Sequence, residues 1–398
     1  MSENSPKISI VMPSYNVGKF MDKCLNSVVN QSLKEIEILC VDAGSGDETL
    51  DIIERYARND SRIKIIHSEV KSYGHQMNLG ISNACGEYIG IVETDDYVDE
   101  KMFETLYSIT QNATTDISKV NFYHLYDDDP DNFRYRIDSS KKGLPEDKFS
   151  LKNNLDFIKG HPCIWAAIYK KSFLEKNNIK FMEEPGAGWV DNPFLFTTAI
   201  CAQSITYRDE PFYYYRELNP ESSTNDLSDL TLPMRRMLDV FDILDKYSYN
   251  YDEFLSVFYI RVFGHVRDIV KNYDIDGKED VLSYIREVLK RLKEEIVLKD
   301  FGLQEQSIYY KYLACLDNID EDNFTADDLQ YIKKENGYLY SRIGQLEENN
   351  RNLTSENRNL SDKNGNLKKE IDLIKNSKAF KIGSFIAMPI RKIRKLLK

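Results

Sequence analysis

Gly90-Ile91-Val92-Glu93-Thr94-Asp95-Asp96-Tyr97 is an apolar run that ends abruptly in three carboxylates. A strand that delivers its side chains to a cleft at its C-terminal end would present Asp95 to whatever binds there. Carboxylates clustered at a strand mouth suit a hard divalent ion that bridges phosphate oxygens. Taken alone, the stretch reads more simply as an acidic turn after a buried strand. Its neighbours upstream reverse that preference.

Those neighbours are Ile8-Ser9-Ile10-Val11-Met12-Pro13-Ser14-Tyr15-Asn16 and Ile36-Glu37-Ile38-Leu39-Cys40-Val41-Asp42-Ala43-Gly44-Ser45-Gly46-Asp47. Each is a β-rich apolar run closed by Pro, Asn, Asp or Gly, so each reads as a buried strand entering a loop. Between them, Phe20, Cys24, Val28 and Leu33 recur at near-helical spacing; Thr49 to Arg58 is again helix-like, and Ile63 to His67 is a short strand. Strand, helix, strand, helix, strand implies an α/β fold with a mostly parallel sheet flanked by helices. Ligands are then expected at the strand C-termini.

Pro13-Ser14-Tyr15-Asn16, Val41 to Asp47, Asn78-Leu79-Gly80 and Glu93-Thr94-Asp95-Asp96, in this order and spacing, resemble the motifs of family 2 glycosyltransferases with a GT-A fold. The resemblance covers roughly the first 220 residues. It implies that Asp42 accepts a hydrogen bond from a nucleotide base, favouring uracil or thymine. Pro13, Tyr15 and Asn16 would flank that base, with Tyr15 free to stack. Ser45 and Asn78 belong to the same donor-binding motifs. Glu93, Asp95 and Asp96 would form the metal motif for Mn2+ or Mg2+, with Asp95 the direct ligand and Asp96 in support.

The resemblance also implies a general base near Asp191, in Glu184-Pro185-Gly186-Ala187-Gly188-Trp189-Val190-Asp191-Asn192-Pro193-Phe194. Inverting transfer needs a carboxylate that takes the acceptor hydroxyl proton. Val190 replaces the usual preceding glutamate, and Glu184 is the alternative base. Asp191 is also placed to cap a helix starting near Pro193, and Gly186 and Gly188 are expected to let the loop close on substrate. Trp165 is a candidate platform for a sugar ring, or else a core residue. Arg216, with Ser222-Ser223-Thr224, is placed to cover the donor phosphates. Two departures stand out: Met77 occupies the position of an arginine that meets the diphosphate, leaving His75 or Lys71 to supply positive character, and Ala43 replaces a second aspartate.

The chain has 398 residues and a formal net charge of -12, which argues against general nucleic-acid binding. Six scattered cysteines, Cys24, Cys40, Cys85, Cys163, Cys201 and Cys315, show no Cys-x-x-Cys spacing and suit buried thiols in a reducing cytoplasm. Met1 to Lys7 is polar, so no secretory signal is expected, and no run of about eighteen apolar residues predicts a span. The domains expected are a GT-A unit over 1–225, a helical unit over 226–325, a coiled coil over 326–376 and a basic tail over 377–398. Val281, Leu282, Ile285, Val288, Leu289, Leu292 and Ile296 mark the helical unit.

Leu339, Leu346, Leu353, Leu360 and Leu367 recur every seven residues, with Asn350, Asn357 and Asn364 at the alternate seam position. Leucine at d with asparagine at a predicts a parallel homodimer, or a trimer; Gly344 and Gly365 argue instead for a single solvated helix. From Lys375 to Lys398, basic and apolar residues interleave without an acid, which predicts an amphipathic helix on an anionic membrane surface. The expectation is a cytoplasmic enzyme, peripheral at the inner face of the membrane. It would move a sugar from a nucleotide-sugar donor to a glycan or lipid-linked acceptor in surface polysaccharide synthesis. A nucleotidyltransferase would carry a Gly-rich basic loop after its first strand, which Pro13 to Lys19 lacks. An inactive scaffold sits poorly with Asp42, Asp95 and Asp191 all present.

Overall fold

The structure is a computed structural model, and it describes residues 5–127, 129, 133–218, 227–314 and 325, with helical backbone at 358, 360, 363 and 365–369. The first compact unit runs from Met1 to Asp322 and the second from Asn323 to Lys398. Most of the coiled-coil segment and all of the tail fall outside the described residues.

Strands β1 (Ile8–Ser14), β2 (Ile36–Asp42), β3 (Ile63–His67) and β4 (Tyr88–Ile91) alternate with helices α1 (Gly18–Val29), α2 (Thr49–Ala57) and α3 (Tyr73–Asn83). They pair in the order β3-β2-β1-β4, all parallel. Every residue of β1 and β2 is buried, as expected for strands covered by helices on both faces. Strand β5 (Tyr97–Val98), helix α4 (Met102–Ser108), strands β6 (Ile117–Asp127), β7 (Arg134–Ile137) and β8 (Ala167–Lys170), helices α5 (Lys171–Lys176) and α6 (Asp191–Cys201) and strand β9 (Ile205–Arg216) follow. The path continues β8-β6-β9-β5 with β7 beside β6. Here only β6 and β9 run parallel; β8 is antiparallel to both β4 and β6.

The glycine of Asn78-Leu79-Gly80 has a packing role. A Cβ on Gly80 would lie 2.4 Å from Val11 Cγ1, so only glycine lets α3 approach β1 this closely. From the same helix, Gln76 Nε2 donates to Ser14 O (2.9 Å) and Val41 O (2.7 Å), tying together the ends of β1 and β2 where the functional loops begin.

Helices α7 (Leu232–Lys246), α8 (Asp252–Asn272), α9 (Glu279–Lys290), α10 (Glu294–Asp300) and α11 (Leu303–Ala314) follow β9. They belong to the same compact unit as the sheet. Phe254, Phe258 and Val262 of α8 are fully buried, and Phe196 of α6 packs edge-on against Phe258 at 5.1 Å. Among the described residues no helix is long and apolar enough to cross a membrane.

Candidate active site

The loops after β1 and β2 are zipped together. Asn16, held at a φ of 52°, donates its N–H to Ser45 Oγ (3.0 Å), and its Oδ1 accepts from Gly46 N (2.8 Å). Asp42 is buried and folds onto its own turn: Oδ2 accepts from Gly44 N (2.9 Å) and Ser45 N (3.1 Å), and Oδ1 accepts from Ser45 Oγ (2.5 Å). The residue expected to read a base therefore organises the loop that would surround it. Asn16 and Gly46, with Lys19, Phe20, Asp47 and Glu48, line a cleft of about 540 Å3. Tyr15 is exposed beside these loops, with Lys71 donating to its hydroxyl at 2.7 Å. Pro13 is buried, and its carbonyl accepts from Thr94 Oγ1 at 2.8 Å, which joins this loop to the acidic turn.

In that turn the three carboxylates differ sharply. Asp96 is buried and accepts from Tyr213 Oη (2.9 Å) and Arg216 N (2.8 Å). Glu93 accepts from Tyr73 Oη at 2.7 Å, while burial and the Asp95 and Asp191 carboxylates push it up to about 8. At neutral pH it is therefore largely protonated. Asp95 is partly exposed, and its carbonyl accepts from Arg216 Nε at 2.6 Å. Among the described residues no group of three or more His, Cys, Asp or Glu side chains is arranged to hold a metal ion. Of the expected set of Glu93, Asp95 and Asp96, Asp96 is committed to hydrogen bonds within the fold. Asp95 still offers a hard oxygen of the kind a magnesium-type ion takes, since such ions use one or two carboxylates plus substrate phosphates.

Asp191 joins this group from a distant segment. It is the first residue of α6, and among the described residues its Oδ1 accepts only from its neighbour Asn192, from N (2.8 Å) and Nδ2 (3.5 Å), so the expected N-cap role is not seen. Burial raises its pKa, and the nearby His161 and Arg261 offset part of the rise. The loop leading to it is pinned. Gly186 N donates to Lys71 O (2.9 Å), its carbonyl accepts from Tyr73 N (2.8 Å), and Arg236 of α7 reaches Gly188 O at 3.3 Å. Gly186 and Gly188 both sit at a φ of 67°, so they provide left-handed turns. Glu184, the alternative base, lies 3.7 Å from Arg236 and 3.9 Å from Arg235.

Below Asp191, three cations hold a loop by its carbonyls. Arg261 of α8 donates to Ile158 O and Gly160 O, both at 2.6 Å. Lys141 donates to Lys159 O (2.8 Å) and His161 O (3.2 Å). Lys119 of β6 donates to Pro162 O (3.4 Å) and Cys163 O. Six consecutive carbonyls are thus satisfied by charged donors, and Cys163 is held at a φ of 36°. Burial takes His161 down to about 4, and Cys163 N donates to its Nδ1 at 3.0 Å, so the neutral ring carries its proton on Nε2.

Other expected residues fall elsewhere. Trp165 is 4% exposed and stacks on Tyr213 with ring centroids 4.0 Å apart, so it is a core residue with no open face for a sugar. Asn78 donates to Phe181 O and Glu183 Oε1, both at 2.9 Å, and fastens the segment before the Asp191 loop. His75 pairs with Glu183 at 2.9 Å, and Met77 is fully buried. Ser222 to Thr224 lie outside the described residues, as does Cys315. Of the described cysteines, Cys24, Cys40 and Cys163 are buried and all five are free. Tyr73 and Arg261 had no local signal in sequence, because their roles depend on partners far along the chain.

The model of the family described as "Glycosyl transferase family 2" matches residues 9–177. The chain is 33% identical over 222 residues to the uncharacterized glycosyltransferase EpsJ of Bacillus subtilis (strain 168), covering 55% of this chain and 63% of that protein. Over 134 residues it is 40% identical to the glycosyltransferase GlyG of Streptococcus pneumoniae serotype 4, covering 33% of this chain and 44% of that protein. It thus spans less than two thirds of either relative. In structure it is similar to residues 1–349 of S. aureus TarS, crystallised in complex with UDP-GlcNAc. That likeness has a TM-score of 0.65 at 20% identity and covers 82% of this chain and 92% of that one. It is a likeness of fold, and it bears out the α/β architecture expected from the motifs. Residues 9–177 are thus similar to glycosyl transferase family 2.

Proposed function

We propose that the protein transfers a sugar, with inversion, from a nucleotide-diphospho-sugar to a glycan or lipid-linked acceptor in surface polysaccharide synthesis. The donor is a UDP-sugar, a choice supported by the UDP-GlcNAc bound to the related fold of TarS. The observation that carries the reading is that Asp95 and, from a separate part of the chain, Asp191 both lie close enough to Glu93 to act on its carboxyl. Asp191 takes the proton from the acceptor hydroxyl as the anomeric carbon is attacked, a task that suits a carboxylate whose pKa is raised. Asp95 would hold a divalent cation, completed by donor phosphate oxygens, and that cation supplies neutralisation of the departing diphosphate. The zipped loops at Asn16 and Ser45 orient the nucleotide beside Tyr15. The protein works in the cytoplasm at the inner face of the membrane, as a homodimer held by the heptad segment and anchored by the basic tail.

The test is thermal melting of the full chain with UDP-, GDP- and dTDP-sugars, with and without Mn2+. A UDP-sugar at 100 times its Kd should stabilise by about 2.7 kcal/mol, and only with the metal. Asp95→Asn should lose most of that gain while melting like wild type alone. Equal stabilisation without metal, or full turnover in Asp95→Asn, would remove the assigned site.

A further inference from the structure

His161 brings a hydrogen-bond donor up to Asp191 that proton removal alone does not employ. The turn Leu155–Ile158, which leads into its loop, packs on α6, the helix that Asp191 begins. The His161 ring lies 4.8 Å from that of Tyr215 and 5.6 Å from that of Trp165, centre to centre. Those rings belong to the wall that carries the acidic turn. Tyr215 precedes Arg216, whose Nε donates to Asp95 O, and Trp165 stacks on Tyr213, whose hydroxyl donates to Asp96. Asp191 is the charge that acts most strongly on the ring, ahead of Lys141, Arg261 and Glu217. The ring therefore stands on the Asp191 side of the site.

Its orientation and tautomer are fixed. Cys163 N donates to Nδ1 at 3.0 Å, so Nδ1 keeps its lone pair and the neutral ring carries its proton on Nε2. Lys141 fastens the His161 carbonyl at 3.2 Å, and Lys119 fastens that of Cys163. Among the described residues Nε2 has no hydrogen-bond partner, yet it is not sealed from water as His265 Nε2 is, and His161 is partly exposed. Asp191, also partly exposed, commits Oδ1 to Asn192 and leaves Oδ2 with no other described residue.

We propose that His161 determines acceptor specificity: its Nε2–H donates to the hydroxyl oxygen next to the one that attacks, so the acceptor is a vicinal diol. The proposal rests on the transferase reading with Asp191 as base. The attacking hydroxyl gives its hydrogen to Asp191 and needs its lone pair for the anomeric carbon, so a second donor on that oxygen would slow it. The neighbouring oxygen has a lone pair to spare. A diol thus offers one hydrogen and one lone pair side by side, the complement of a carboxylate beside an N–H. An acceptor without the second oxygen leaves the N–H desolvated and unpaired, which is how a polar site rejects a deoxy analogue. Loop and tautomer are set before the acceptor arrives, so the donor needs no rearrangement to meet it.

Nitrogen NMR of the full chain with isotope-labelled histidine, with and without UDP and Mg2+, tests it. The probes are methyl β-glucoside, methyl β-galactoside, ribitol and their monodeoxy analogues. The His161 signal, identified by its absence from His161→Asn, should report a neutral ring with its proton on Nε2. At least one diol should shift it, and removal of one hydroxyl from that diol should abolish the shift. In transfer, the same deletion should lower the wild-type kcat/KM roughly 10- to 100-fold. His161→Asn keeps an oxygen for Cys163 N but has no donor at the Nε2 position, so it should lose that discrimination. His161→Gln, whose amide N–H reaches the Nε2 position, should regain part of it. A proton on Nδ1, or a signal that no diol moves, overturns the proposal. Discrimination left intact in His161→Asn overturns it too, by making His161 a staple of its loop. Failure of the transferase reading shows separately, as absence of turnover with every nucleotide sugar, and the titration alone then decides the diol contact.

Discussion

Burial raises the Asp191 pKa while Arg261 and His161 work against that rise, so the proton affinity of the proposed base is set by residues outside its own helix. Asp191→Asn should keep donor affinity within a few-fold and slow transfer by about 100- to 10,000-fold. Single-turnover transfer near the wild-type rate would move the base elsewhere. Glu93 allows a stability test. The folded protein holds its proton more tightly than the unfolded chain does, so its stabilising contribution is complete below the ordinary glutamate value of 4.5 and is lost as pH rises towards about 8. Glu93→Gln copies the protonated form. It should melt with wild type at pH 4.5 and above it at pH 8 or higher; parallel melting curves across that range would exclude a neutral Glu93. At this scale the sequence was legible where chemistry is written locally. Asp95 and Asp191 stand out by motif and position, whereas the protonation of Glu93 depends on its burial and on the distant Asp191 carboxylate and could not be read from its own neighbours.

Helix α8 shows what a single element adds. Its buried residues, from Phe254 to Ile269, recur at helical spacing, but the one turn that matters chemically carries Arg261. Removing that side chain deprives Ile158 O and Gly160 O of charged donors, each at a cost of about 1–3 kcal/mol. It also removes the cation that lowers the Asp191 pKa. Arg261→Met should therefore lower the melting temperature and move the acid limb of the pH–rate profile upward, and Arg261→Lys should restore part of both. A lower melting temperature with an unmoved acid limb would reduce Arg261 to a structural staple. Strands β1 to β4 were legible because each is a buried apolar run closed by turn residues. The mixed pairing of β6, β8 and β9 was not, since the strand period leaves pairing partner and direction open.

Across the whole molecule, the heptad and basic segments predict behaviour that no catalytic residue controls. Deleting Ala379 to Lys398 should leave donor hydrolysis intact and abolish co-sedimentation with anionic vesicles, each basic residue being worth about 1 kcal/mol at the surface and less at high salt. Truncation before Leu339 should also convert a dimer to a monomer by light scattering; a monomeric full-length chain would defeat the coiled-coil reading. The six carbonyls from Ile158 to Cys163 carry a further consequence, one of timing. Two of their cations, Lys119 and Lys141, precede the loop in the chain, but Arg261 follows it by a long stretch. During synthesis, the segment matched by the family model, residues 9–177, is complete while the loop from Ile158 to Cys163 still lacks one of its three supports. A nascent chain stalled between Arg216 and Arg261 would hold every strand of the sheet and every motif, yet no finished site.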